Sequence, residues 1–369
     1  MRARGPVLDL TQANPTTAGL PYPAGFGAMH PREEGFADLA TDAPYAPVAF
    51  GLRPAREAVA AEYREDGAAV DPDDVILTAS TSEAYAHLFT VLCDEGDEVI
   101  VLVPSYPLFS YLAQFAGVRL VPCPLSYDGA WHIEASEVLR RMSERTRAIV
   151  LVSPNNPTGS FVKRSELDAL LDLGVPLIVD EVFSRYAFAP DATRVTTVAG
   201  ERRGLLFSLG GLSKLVGLPQ AKLAWIALAG ERALVARAKE RLELVLDTYL
   251  NVGSFIQHRA PRLFVTHAAV REAIKARVRA NRETALRTFT SAANVLHVEG
   301  GWYVTLRLPR VRPELQIAEE LLAKHAVYTH PGVFFDFPDE AYLVLSLLTP
   351  EAELAEGARR IEEYVRAAL

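Results

Sequence analysis

Short runs of wholly apolar residues, separated by helical stretches, constrain this chain more than any other feature. Val75-Ile-Leu-Thr78, Glu98 to Val103, Val118 to Val121, Arg147 to Val152, Pro176 to Asp180, Leu205 to Ser208 and Leu223 to Leu228 each read as a strand with no polar face. Helical patterns run from Arg53 to Arg64, Ser82 to Asp94, Leu108 to Ala116 and Arg164 to Leu171. A strand apolar on both faces needs a covering layer on each side, and helices between strands supply it. The expected architecture is α/β, a three-layer α/β/α unit around a mostly parallel sheet. From about Val252 the pattern changes. A long charged helix is expected from His267 to about Asn294, then a strand over Trp302 to Arg307 and a helix from Pro313 to His325. A strand over Tyr342 to Ser346 and a helix from Glu351 to Ala368 follow. This predicts a smaller α+β unit. The expected division is an extended, Pro- and Gly-rich arm over 1–44, a large unit over 45–254 and a small unit over 255–369.

The 369 residues are enough for one large core or two moderate ones. A net charge of −8 argues against nucleic-acid binding, because no basic excess is available to neutralise phosphates. Cys93 and Cys123 lie far apart and form no CxxC pair, so they read as small buried hydrophobes in a reducing compartment. The first residues lack the apolar core of a signal peptide, and no apolar run approaches the ~20 residues of a membrane helix. A soluble cytoplasmic protein is the expectation. No cluster has metal-ligand spacing, and no nucleophile-elbow pattern occurs.

In an open α/β sheet, ligands collect at the carboxyl ends of the strands. The unusual polar residues fall at those ends. Ser80-Thr-Ser82 follows the first strand and opens a helix, which suits a phosphate, although a plain N-cap has the same pattern. Asp180-Glu181 ends an apolar strand, so a carboxylate there needs a partner; a cap or a salt bridge would also serve. Ser153-Pro-Asn-Asn-Pro-Thr-Gly159 follows another strand and reads at least as a rigid turn. Lys214 sits in Ser208-Leu-Gly-Gly-Leu-Ser-Lys-Leu-Val-Gly-Leu-Pro219. A solvated lysine in a Gly-rich turn is one reading. The other is an amine that condenses with an aldehyde, where an apolar setting lowers its pKa and frees the nucleophile.

Together these segments resemble the fold-type I pyridoxal-phosphate aminotransferases, the class I/II family. The resemblance runs in order from about Asp9 to Leu369. It rests most on Asn155-Asn-Pro-Thr-Gly159, Asp180-Glu-Val-Phe183, and Ser213-Lys214 with Gly217-Leu-Pro219. It implies the PLP-dependent transferase fold and pyridoxal 5'-phosphate as cofactor. Lys214 then matches the lysine that binds the cofactor's aldehyde and shuttles a proton. Asp180 matches the partner of the pyridine nitrogen, and Asn156 the donor to the ring's phenolic oxygen. Tyr106 matches the aromatic on the ring face, its alternative being a core tyrosine. Thr81 and Ser82, with Ser80, match the phosphate-binding helix start. Tyr45 is a candidate for the tyrosine that reaches the neighbouring subunit's phosphate, with one residue more before Gly51 than the family pattern. A homodimer is implied, and the Pro-rich arm suits packing on a partner and on the small unit.

Four positions depart from the family. Gly211 stands where a phosphate-binding serine is usual. Lys222 replaces an arginine, giving a point charge in place of a bidentate fork. Phe183 replaces a tyrosine and removes a phenolic donor. Val344 stands where an arginine normally takes the substrate's carboxylate. Arg185 and Arg307 are candidate substitutes, each with a structural or solvated role as the alternative. His87 reads as a helix-face residue and Trp225 as core. The implied function is transfer of an amino group between an amino acid and a 2-oxo acid. A lyase, decarboxylase or cyclising enzyme of the same fold is the alternative. A non-enzymatic effector module is a third reading, against which stands the lack of a basic extension.

Overall fold

The computed structural model describes residues 6–23, 47–250, 252–339 and 341–368. Tyr45 lies outside them. The apolar runs form one seven-stranded sheet. Its strands are β1 (Val75–Thr78), β2 (Glu98–Val103), β3 (Arg119–Pro124), β4 (Thr146–Val152), β5 (Leu177–Asp180), β6 (Leu205–Gly211) and β7 (Ala224–Gly230). Their spatial order is β1-β7-β6-β5-β4-β2-β3. Neighbours pair in parallel except β7, which runs against both β1 and β6.

The expected end of β6 at Ser208 is three residues short. Gly210 and Gly211 continue the strand because β7 fills the space their side chains would need. A Cβ on Gly210 would come within 2.6 Å of the Trp225 indole. Trp225 is buried, as expected, and its indole N–H donates to the Tyr63 hydroxyl at 3.1 Å.

Helices cover both faces of the sheet. On one face α2 (Thr81–Leu92) and α3 (Arg232–Tyr249) bury Leu88, Phe89, Leu242 and Leu246 against Ile76, Val101, Phe207 and Leu209. On the other, the helix Arg164–Leu171 packs Leu167 and Leu170 on Ile100, Leu151 and Val179. There too α1 (Arg53–Glu65) sets Val59 and Tyr63 against Leu77 and Trp225. The helix α4 (Ser254–Thr266) joins this last cluster through Ala260 and Phe264. A boundary at 254/255 therefore cuts one residue into a helix that packs on the large sheet.

The second core begins with α5 (Ala268–Thr288). It surrounds an antiparallel sheet of β8 (Asn294–Val295), β9 (Tyr303–Arg307), β10 (His330–Pro331) and β11 (Tyr342–Ser346), in the order β8-β9-β11-β10. Helices α5, α6 (Glu314–His325) and α7 (Glu351–Ala368) bury Ile274, Ile317 and Ile361 against Val304, Leu306, Leu343 and Leu345. The arm adds to this unit. Leu8–Asp9 pairs in parallel with Val327–Tyr328, and the fully buried Leu10 abuts Gly357, where a Cβ would sit 2.7 Å from its side chain. Among the described residues, no helix is long and apolar enough to cross a membrane.

Candidate active site

Strand register brings the candidate residues to one edge. Val152 pairs with Asp180, and Asp180 with Leu209, so the carboxyl ends of β4, β5 and β6 lie side by side. Asn156, Asp180 and Lys214 each stand at or just beyond one of these ends. At the start of β7, Ala224 pairs with Gly211 on one side and Thr78 on the other. The start of α2 is thus at the same edge, about 10 Å across from Gly211 at the usual strand spacing.

Lys214 lies in the short helix Leu212–Leu215, pinned by the buried Leu212 and Leu215. Its amine is 5.1 Å from the centre of the Trp302 ring and 6.0 Å from that of Phe183. It has no hydrogen bond or ion pair among the described residues. Burial pushes the amine below its ordinary range, and the nearby Asp180 carboxylate opposes that only in part. Phe183 stands edge-on to Trp302 at 5.3 Å and to Tyr303 at 6.3 Å, forming an apolar wall.

Asp180 is buried at the tip of β5. Its Oδ1 accepts the Val182 N–H at 3.1 Å and its Oδ2 the Tyr85 hydroxyl at 3.3 Å. Burial pushes the carboxyl up to about 6, against the opposing pull of those two donors and Lys214. Tyr85 escaped the sequence reading. Its α2 neighbours Ala84, Leu88 and Phe89 are all buried apolar residues, so a tyrosine among them reads as core. The available signal was a hydroxyl on an otherwise apolar stripe.

The loop after β4 divides its labour. Asn155 is a scaffold residue: its amide donates to the Pro104 carbonyl at 3.0 Å and to Thr158 at 2.9 Å. Asn156 is buried too, but its Oδ1 has no partner among the described residues. Gly159, at φ +71°, lets the small unit approach. A Cβ there would lie 2.4 Å from Val298 and 2.5 Å from the Gly300 carbonyl. Tyr106 follows β2, is 39% exposed, and stands edge-on to Phe109 at 6.0 Å. Burial first, and then the Asp180 charge, raise its phenol.

At α2, the Ser80 hydroxyl accepts the Glu83 N–H at 3.1 Å, so this serine is an N-cap. Thr81 and Ser82 are half-buried, and neither hydroxyl has a protein partner among the described residues. Lys222 is exposed, left-handed at φ 50°, and carries no ion pair among the described residues. A Cβ on Gly211 would lie only 3.2 Å from that of Ala224. The missing serine is thus accompanied by a tight strand contact.

Arg185 is paired in the way its structural alternative expects. Its guanidinium donates to the Glu62 carbonyl at 2.6 Å and pairs with Asp66 at 3.1 Å and Glu65 at 3.4 Å. Helix α1 takes up its charge. Arg307 is exposed at the far end of β9, four residues and about 13 Å along the strand from Tyr303. Val344 is buried on the same face as Tyr303, in register with Thr305 on one side and His330 on the other. The Thr305 hydroxyl is buried there without a partner among the described residues.

The donor set asks for a ligand with several functions. Two free hydroxyls at a helix N-terminus suit an anion. The open Oδ1 marks the Asn156 amide as uncommitted, Asp180 suits a protonatable nitrogen, and the free amine of Lys214 suits a carbonyl.

A chain with this strand order and an unpartnered lysine at the sheet edge has the build of an aminotransferase. The family model for aminotransferase class I and II matches residues 44–361. A probable aspartate/prephenate aminotransferase of Aquifex aeolicus is 26% identical over 333 residues, which cover 86% of this chain and 82% of that protein. The arginine–pyruvate transaminase of Pseudomonas aeruginosa is 28% identical over 331 residues, 88% of this chain and 82% of its own. The fold superposes on the crystal structure of tyrosine aminotransferase from Leishmania infantum with a TM-score of 0.87, at 22% identity, over 99% of this chain and 93% of that one. This chain belongs to the class I and II aminotransferase family and is an aminotransferase.

Proposed function

We propose that this aminotransferase works with pyridoxal phosphate held at the edge formed by β4, β5, β6 and α2. The observation that carries this reading is the placement of Lys214 and Asp180 at or just beyond neighbouring strand ends, the amine against Trp302 and Phe183 and the carboxylate held by Tyr85 and the Val182 N–H. One is an amine lowered by burial; the other is a buried carboxylate at the next strand end. Bound pyridoxal phosphate supplies an aldehyde and a ring that draws off negative charge from the substrate's Cα.

The chain's own residues do the rest. Burial lowers the Lys214 amine from its ordinary range and so favours its neutral form, which would serve first as nucleophile and then as the base that moves the Cα proton. Trp302 and Phe183 exclude water from that amine. Asp180 would keep a proton on the ring nitrogen, and Asn156 would donate to the phenolic oxygen. Tyr106 would pack on the ring. Thr81, Ser82 and the α2 N–H groups bind phosphate, with Lys222 adding a point charge. An amino acid and a 2-oxo acid take turns at the site. Choice among them falls to the face of Tyr303, Thr305, Val344 and His330, which offers no arginine at Val344.

A homodimer is part of the same reading. Leu108, Tyr111 and Phe115, three and four residues apart, are 41%, 57% and 84% exposed. An apolar stripe of this kind favours a partner surface; a monomeric mass in solution would refute it. Two free thiols suit the reducing cytoplasm. The test of the whole is Lys214→Ala. It should abolish the cofactor's visible absorbance band and lower kcat by at least ~10³-fold. Retention of either would overturn the assignment.

A further inference from the structure

Asp180 has a second anchor that lies outside the strand it ends. Tyr85 is on α2 and is 2% exposed. Its ring meets Phe109 edge-on at 5.0 Å and Phe89 at 6.1 Å, so apolar neighbours fix its position. Its hydroxyl has one partner among the described residues, Oδ2 of Asp180 at 3.3 Å. An ionised carboxylate can only accept, so the phenol donates whenever Asp180 is charged. The other oxygen takes the Val182 N–H. With one donor from β5's own chain and one from α2, both the position and the plane of the carboxylate are set.

We infer that Tyr85 is a positioning residue for Asp180, holding its carboxylate ionised and aimed at the ring nitrogen of the cofactor. The aim at the cofactor rests on the pyridoxal phosphate reading above. The grip on the carboxylate does not.

The groups around Asp180 make the effect measurable. Lys214, Tyr85 and Tyr106 face it, together with the Val182 N–H. Glu181 points away, to Ser208, Thr197 and Val198. Both phenols are raised and stay protonated near neutrality. Asp180, brought up to about 6, is the group among these that titrates within the range measured. A raised carboxyl favours the folded state at low pH, and that stability is lost as pH climbs through the folded value. Without the Tyr85 hydroxyl, Asp180 should titrate about one unit higher, at the low end for a bond to a charged group. The stability loss then extends to higher pH. Cofactor affinity, which needs the carboxylate charged, falls about tenfold below pH 5 and about twofold at pH 7.

The experiment compares wild type, Tyr85→Phe, Asp180→Asn and the double variant. The first measurement is unfolding of the cofactor-free protein from pH 4.5 to 8. Tyr85→Phe should deepen the fall in stability above pH 6, and the double variant should show the same profile as Asp180→Asn. The second is equilibrium binding of pyridoxal phosphate, where Tyr85→Phe should weaken affinity about tenfold at pH 5, about fivefold at pH 6 and hardly at all at pH 8. Destabilisation equal at every pH, with affinity within twofold of wild type at pH 5 and pH 6, would make Tyr85 a packing residue and overturn the inference. If wild type binds no pyridoxal phosphate, the proposed function fails. The unfolding profiles still decide whether Tyr85 governs Asp180.

Discussion

Asp180 and Glu181 are neighbours whose side chains go to opposite sides of the sheet. Asp180 meets Tyr85 and Lys214. Glu181 accepts the Val198 N–H at 2.7 Å, the Thr197 hydroxyl at 2.7 Å and the Ser208 hydroxyl at 2.5 Å. Ser208 is in turn 2.8 Å from the Tyr63 hydroxyl. Burial pushes Glu181 up to about 7 in spite of these bonds. The folded value lies above the ordinary 4.5, so this group favours the folded state below pH 4.5 and gives that up as pH rises through 7. Glu181→Gln has no charge to lose. Its unfolding free energy relative to wild type should improve by roughly 2–3 kcal/mol between pH 5 and pH 8. A difference that stays flat over that range would mean Glu181 is not buried as an anion. The sequence marks this pair clearly, as two carboxylates ending an apolar strand. Period-two alternation separates their directions but does not say which one faces the site. Tyr85 was illegible for a related reason. A buried aromatic hydroxyl shows its partner only once another strand end stands opposite it.

Helix α2 carries three tasks along one line. Ser80 caps it, Thr81 and Ser82 offer hydroxyls at its start, and Tyr85, four residues after Thr81, reaches Asp180 one turn in. Cap and phosphate binder were alternatives for Ser80-Thr-Ser82 in the sequence. The structure gives the cap to Ser80 and leaves the Thr81 and Ser82 hydroxyls to the proposed phosphate. Ser80→Ala should cost about 1 kcal/mol of stability and leave cofactor affinity within about twofold. Ser82→Ala should leave the cofactor-free protein within about 0.5 kcal/mol and weaken cofactor binding about tenfold, the loss of one bond to a charged group. Denaturant titration and equilibrium binding on both variants check this; equal affinity losses would erase the division. Elements with a long apolar pattern were legible in the same way. β1, β2 and β11 fall within the expected bounds to the residue. α3 did not stand out because only Val235, Ala238, Leu242 and Leu246 are buried along its 18 residues. The two-residue strands β8 and β10 have no periodicity to read.

The two cores meet at the site through the segment before β9. Backbone N–H groups of Glu299 and Gly300 donate to the Gly159 carbonyl at 3.2 Å and 3.0 Å. Three residues past Glu299, Trp302 closes over the Lys214 amine. The Ser105 N–H, one residue before Tyr106, donates to the Phe335 carbonyl at 2.8 Å. The change of pattern near 252 makes two units legible, but not their joint. The ion pair that secures it links Lys163 to Glu299, 136 residues apart. Glu299 is buried, also faces Arg194 at 3.4 Å, and accepts the Phe161 N–H at 2.7 Å. Removing that carboxylate leaves Lys163 and the Phe161 amide without their acceptor and Arg194 with only Asp191 and the Ala189 carbonyl among the described residues, and breaking a buried pair from one side costs about 3–5 kcal/mol. Glu299→Ala should therefore lower stability by that order. Lys163→Met, which leaves the carboxylate with Arg194 and the Phe161 N–H, should cost less. Glu299→Ala loosens the segment that sets Trp302 over Lys214, so water should reach the amine and its pKa should rise toward the ordinary lysine range. The rate at which an amine-selective reagent modifies Lys214 at fixed pH in the cofactor-free protein reports this, with Lys214→Ala as the blank. Slower modification in Glu299→Ala than in wild type is expected, since less of the amine is then neutral. Wild-type stability and an unchanged modification rate would show that the small unit docks at the site without Glu299.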